Sequence, residues 1–271
     1  MDTINKMTIS DASKVQYSYL LKRMDKAGFT PPTESDEQVD YVKEYLSTFD
    51  NVKVKLSMLN VCIVLRRELG LDTENLKMLR NDLSGNLATQ QVTTLNEKRE
   101  TLLDYQTLLD KLQKAYDEKQ NVKFIMNYLF IHHAVRNLDV NLTIVKKKKD
   151  MGTTGNYLWY TPKKITYVRN DYKTVETYGQ KTSVITDPRM LKVVRNMDGP
   201  LFPEGILSNH IRKYYLEPDL TESTIFKTVI HHYYHLGDSN AIKELASSRG
   251  TNLQTVEGFY NVNKVSNPIL S

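Results

Sequence analysis

Apolar positions recur at three- and four-residue spacing over the first half of the chain. Near residue 157 they give way to short β-branched and aromatic runs, and after 187 the helical spacing returns. Val39, Val42, Leu46 and Phe49 fall on one helical face, as do Leu56, Leu59 and Ile63 and then Leu76, Leu79 and Leu83, so three amphipathic helices are predicted from Asp36 onward. Leu102, Tyr105, Leu109, Leu112 and Tyr116 form one further stripe, which predicts a long helix over 94–118. Upstream, Val15–Met24 predicts a short helix. Thr30-Pro31-Pro32-Thr33 then breaks the pattern, and 1–35 reads as an arm and linker.

An apolar helix is predicted from Phe124 to Ala134, followed by a loop that carries the run Lys146–Lys149 and Gly152 and Gly155. The runs 157–160, 165–168 and 183–186, separated by turn formers, predict a small antiparallel sheet. Asp187-Pro188 pairs an N-cap with proline at the first helical position. Further helices are expected near 203–216, 222–236, 239–248 and 252–260. The fold class that follows is mainly α (α+β). Residues 36–118 form an N-terminal helical bundle and 119–271 a mixed domain.

Composition narrows the function classes. A length of 271 residues accommodates two domains, each with its own core. No apolar run is long enough to cross a bilayer and the polar N-terminus lacks a secretory signal, so an intracellular protein without a membrane partner is expected. The single cysteine, Cys62, excludes a disulfide within the chain and a cysteine-based zinc site, and its apolar surroundings predict a core thiol. A net charge of +5 is compatible with a polyanionic partner but does not identify one.

Three segments carry the chemistry. The first is Ala134-Val135-Arg136-Asn137-Leu138-Asp139-Val140-Asn141-Leu142, the second Asp171-Tyr172-Lys173-Thr174 between two predicted strands, and the third Asn252 to Tyr260, one turn beyond Arg249-Gly250-Thr251. In order and spacing these resemble the first arginine box, the lysine hairpin and the nucleophile segment of the tyrosine recombinase (phage-type integrase) family. The resemblance spans roughly 120–262, and 36–118 is similar in character to the family's DNA-clamping domain. It implies a catalytic Tyr260, Arg136 and Lys173, with Asp139 supporting the site, on a two-domain clamp around double-stranded DNA. It also implies a homo-tetramer on DNA, a 3′-phosphotyrosyl intermediate, and no cofactor or metal.

The chemistry explains why these residue types belong together. A phenol with a pKa of about 10 is a weak nucleophile at neutral pH, and a phosphodiester repels anions, so cations must neutralise its oxygens as charge builds. The leaving 5′-oxygen needs a proton, the role that the resemblance gives to Lys173. Two departures stand out. The family's His-x-x-Arg corresponds here to Thr224-Ile225-Phe226-Lys227, and its Gly-His pair to Gly250-Thr251. Lys227 supplies charge without the two-pronged guanidinium contact. His231, one turn further on, and Arg249 are the candidates to replace what is lost.

Lys146, Lys147, Lys148 and Lys149 are candidate phosphate contacts or simply a solvated loop. The cluster His231-His232-Tyr233-Tyr234-His235 lacks a His-Glu-x-x-His arrangement and is not read as a metal centre. A rival reading takes Ala241–Val256 as a helix-turn-helix with Gly250 in the turn, which makes the chain a non-enzymatic DNA-binding regulator. A recombinase-like protein that binds DNA but has lost cleavage is a further alternative.

Overall fold

A computed structural model of the chain describes Ile4, Met7, Ile9 and residues 11–85, 102–205 and 211–260. The chain divides into two compact units, Met1–Thr94 and Leu95–Ser271. In the first unit, helices α1 (Asp11–Lys26) and α2 (Val39–Ser47) both pack on α3 (Val52–Glu68), and a fourth helix, α4, runs over 74–85. Their shared core holds Leu20, Met24, Phe29, Val42, Leu46, Leu59 and Leu76, with the Phe29 ring stacked on Tyr45. The reading of 1–35 as an arm is therefore corrected. α1 is longer than the predicted helix, and Leu20, Met24 and Phe29 place it and the chain after it in the first core. Cys62 is buried in that core as expected, where desolvation pushes its thiol pKa up to about 12.

The proline-broken segment after α1 cannot satisfy its own carbonyls through a helix or a ladder, and Arg66 does so instead. Its fully buried guanidinium donates to the carbonyl oxygens of Pro32, Glu34, Ser35, Asp36 and Asp72 at 2.7–3.3 Å. Beside it, the Glu37 carboxylate accepts from the backbone N–H groups of Asn75 and Leu76 at the start of α4. A negative charge there also meets the positive end of the helix dipole.

The second unit builds on α6 (Asn121–His133), which is buried on almost every face: Phe124 through Ile131 are all buried. Helices α5 (Tyr105–Asp117), α8 (Pro188–Arg195), α9 (Glu222–His235) and α10 (Ser239–Arg249) all touch it, and α11 (Leu253–Phe259) packs on α10. Two expectations change. Leu108, Leu112 and Ala115 of α5 belong to this core, so the boundary falls at 94/95 and not at 118/119. Among the described residues α5 begins only after Asp104, whose side chain caps the Thr107 N–H, while 94–101 of the predicted helix lie outside the described residues. The expected helix over 203–216 is, in its described part, a 3₁₀ turn at Arg212–Tyr214, and 206–210 lie outside the described residues.

The strands are β1 (Leu142–Val145), β2 (Asn156–Tyr160), β3 (Ile165–Arg169), β4 (Lys181–Ile185) and β5 (Gly199–Pro200), in the spatial order β4-β3-β2-β1-β5. The three predicted strands form as an antiparallel meander. The sheet as a whole is mixed, because β1 pairs parallel to β2, Leu142 opposite Asn156, with β5 antiparallel on its other edge. Between β3 and β4 lies a single turn of helix, α7 (Val175–Tyr178). The fold class is thus mainly α (α+β), with a small mixed sheet rather than a purely antiparallel one. Among the described residues no helix is long and apolar enough to cross a membrane.

Candidate active site

The site starts from the way α6 ends. Ala134 adopts a left-handed conformation, φ 49°, which turns the chain out of the helix. The next turn is closed by Asp139, whose carboxylate accepts the Arg136 N–H at 3.1 Å while its own N–H donates to the Arg136 carbonyl. Asp139 is fully buried and pairs with Arg169, at the end of β3, at 3.2 Å. Burial raises its carboxyl pKa, outweighing the opposing pull of the Arg136 N–H and of Arg169. The Asp139 carbonyl in turn accepts from the Tyr167 hydroxyl and from Asn156. Asn156 then ties Asn170 and Asp171 in place through its side-chain oxygen, which fixes where the chain leaves β3.

Against this turn lies the C-terminus of α10. Arg249, 2 % exposed, donates to the carbonyls of Ala134 and Val135, pairs with Glu222 at the start of α9, and points its second nitrogen at the Tyr260 hydroxyl, 3.4 Å away. Arg136, half-buried, donates to the Arg249 carbonyl at 2.6 Å. Tyr260 caps α11 and sits with its ring edge-on to Phe226 at 4.7 Å, with the Arg249 guanidinium over the same ring pair. Arg136, Asp139, Arg249 and Tyr260, more than a hundred residues apart in the case of Arg136 and Tyr260, therefore share one site. Arg249 is tied up by Glu222 and two carbonyls, so it positions Arg136 and Tyr260 and is not an open phosphate-binding group.

Lys173 lies exposed in the segment between β3 and β4. Its neighbour Thr174 docks that segment by donating to the Gly250 carbonyl at 3.0 Å. The ammonium that the structure does bring in is that of Lys181 on β4, which donates to the Ser247 carbonyl and lies over the Tyr172 ring at 5.6 Å. Desolvation, with the nearby Arg169 and Arg136, pulls its pKa down from the usual lysine value. Desolvation and Arg249 likewise lower that of Arg136. In both cases desolvation leads and the neighbouring cations add to it. Arg136, Arg169, Arg249 and Lys181 are four cations against the two carboxylates Asp139 and Glu222, a surplus of two positive charges.

Lys227 is half-buried on α9, next to Phe226. Thr224, at the place of the family's histidine, spends its hydroxyl in a capping box with Thr221. His231 is corrected: it lies about 140° around α9 from Phe226, away from Tyr260, and its Nε2 is 3.1 Å from that of His235. In the lysine run, Lys146 pairs with Asp198 at 3.0 Å, whereas Lys147, Lys148 and Lys149 are exposed. Sequence reasoning missed Arg169, Asn156, Glu222 and Lys181. Arg169 directly follows the predicted strand 165–168 and precedes the Asp171–Thr174 segment, and that adjacency is the one signal that pointed to it.

No protein-family model, curated protein or solved structure matches the chain. The fold is that of a mainly α chain with a small mixed sheet, and its functional reading rests on the site itself.

Proposed function

We propose that the chain cuts and rejoins DNA as a tyrosine recombinase, through a covalent bond between the Tyr260 oxygen and a 3′-phosphate. What carries this reading is the Arg249 guanidinium 3.4 Å from the Tyr260 hydroxyl with Arg136 on the Arg249 carbonyl, while Arg169 and Lys181 add positive charge around Arg136. An anion is the ligand such a cluster favours, and a phenol held at its edge is the group that attacks it. As the Tyr260 oxygen loses its proton to solvent and bonds to phosphorus, the bond to the 5′-oxygen breaks, and the leaving oxygen takes a proton from Lys181. Arg136 neutralises the phosphate oxygens. A preorganised donor of this kind is worth about 3–4 kcal/mol in comparable acyl-transfer sites. Lys181 is the proton donor, because an ammonium of lowered pKa parts with its proton more readily than an exposed Lys173.

A nicked DNA substrate that traps the adduct tests the reading. Wild-type protein forms a covalent, protease-sensitive complex, Tyr260→Phe forms none while still binding DNA, and Lys181→Met lowers the rate roughly a hundredfold. No adduct from wild-type protein across a library of target sequences removes the enzymatic reading.

A second reading has its own observation. α10 ends in Gly250 in the left-handed conformation, φ 66°, and α11 follows with Ala246 and Val256 buried between them, the packing of a helix-turn-helix. In that case Tyr260→Phe leaves every DNA-linked property unchanged.

A further inference from the structure

On the face of α9 turned away from Tyr260, His231 and His235 stand one turn apart and bring their Nε2 atoms to 3.1 Å, with the rings nearly perpendicular. Two metal–nitrogen bonds of roughly 2.0–2.1 Å, opened by 90–109°, hold their nitrogens roughly 2.9–3.4 Å apart. The two imidazoles hydrogen-bond to each other at this separation, which also falls within the bite of a chelate. It lines a groove with Leu103, Asp104, Tyr105 and Thr228, His235 being exposed and His231 half-buried, so an ion reaches it from solvent. The neighbouring His232 ring is stacked on Tyr105 at 4.0 Å, which braces this stretch of α9 against the start of α5.

We propose that His231 and His235 form a binding site for a borderline divalent transition ion of the copper, nickel or zinc type. Among the described residues no three His, Cys, Asp or Glu side chains converge on one point. The chain thus supplies two nitrogens and solvent completes the coordination. Imidazole ligands select these ions over magnesium, and the order of affinity follows Cu²⁺ above Ni²⁺ and Zn²⁺. Because both ligands lie on one helix, the ion clips a turn of α9 and stabilises the folded state by mass action. This site is independent of the DNA chemistry, since it lies on the opposite face of α9 and uses none of its groups.

The test is calorimetric titration of untagged, chelator-stripped protein with Cu²⁺, Ni²⁺ or Mg²⁺ chloride. Cu²⁺ and Ni²⁺ bind with one-to-one stoichiometry and Mg²⁺ does not. At an ion concentration on the order of a hundred times Kd the melting temperature rises by roughly 5 °C. His235→Gln, at an exposed position, weakens Cu²⁺ binding at least tenfold with an unchanged circular dichroism spectrum, and His231→Gln does the same, whereas His132→Gln has no effect. Electron paramagnetic resonance of the Cu²⁺ complex shows two equivalent-type nitrogens that are lost in either variant. Saturable binding that survives His235→Gln, or the absence of a one-to-one Cu²⁺ site, overturns the proposal.

Discussion

Each charged side chain at the site is held by a partner of opposite sign or by carbonyls, and the cost of removing that partner follows from burial. Arg169 and Asp139 are 1 % and 0 % exposed, so Asp139→Ala leaves a guanidinium in the interior with its counter-charge gone. Breaking such a pair costs about 3–5 kcal/mol. Urea unfolding of the variant should show a loss of that size, and a loss near zero would mean that the pair is not formed. Arg66 in the first unit is a similar case with backbone oxygens in place of a carboxylate. His133 gives the pH counterpart. Burial, with the nearby His132 and Arg169, lowers its pKa to about 4 from 6.5. The unfolded chain therefore binds a proton there before the folded one does. This contribution to stability is fully present above about pH 6.5 and is lost as pH falls towards 4. Melting temperature against pH should flatten across that window in His133→Asn.

At the scale of elements, the joint between α10 and α11 is the most constrained. Gly250 has φ 66°, and a Cβ there runs into the Thr174 hydroxyl and meets the Tyr172 ring at 3.1 Å. Gly250→Ala should therefore destabilise by at least about 1 kcal/mol and release the segment that carries Lys173, readable as faster amide exchange over 170–180. Elements with a single repeating face were legible in the sequence: α2, α3 and α4 follow from Val39, Leu59 and Leu76, and β2 to β4 from their aromatic and β-branched runs. β1 was not, because Leu142–Val145 is buried almost throughout and a short, continuous apolar run has no period to read. The length of α5 was misjudged because Leu102 continues its stripe while Asp104 caps it. Of the site, Arg136, Asp139 and Tyr260 carry a local pattern. Arg169, Asn156, Glu222 and Lys181 do not, since each is placed by a contact with residues distant in sequence, such as Arg249 with Glu222 or Asn156 with Asp171.

At the scale of the whole molecule, the division at 94/95 separates stability from chemistry. The second unit owns the larger core and every group of the candidate active site, while the first owns a core centred on α3 and none of those groups. A fragment of residues 95–271 should therefore fold by itself, with one cooperative transition by circular dichroism and calorimetry. On the proposed reading it also keeps adduct formation on nicked DNA. What it loses is grip. Each phosphate neutralised by a lysine or arginine adds about −0.9 to the slope of log affinity against log salt, so phosphates met by the first unit disappear from the slope of the fragment. Replacing Lys147, Lys148 and Lys149 with alanine in the full chain separates that loss from the contribution of the loop after β1, removing about 0.9 for every one of the three that meets a phosphate. A slope identical in the full chain and the fragment would show that the first unit holds no DNA. Its helices would then have some other partner, and DNA contact would rest on the second unit alone.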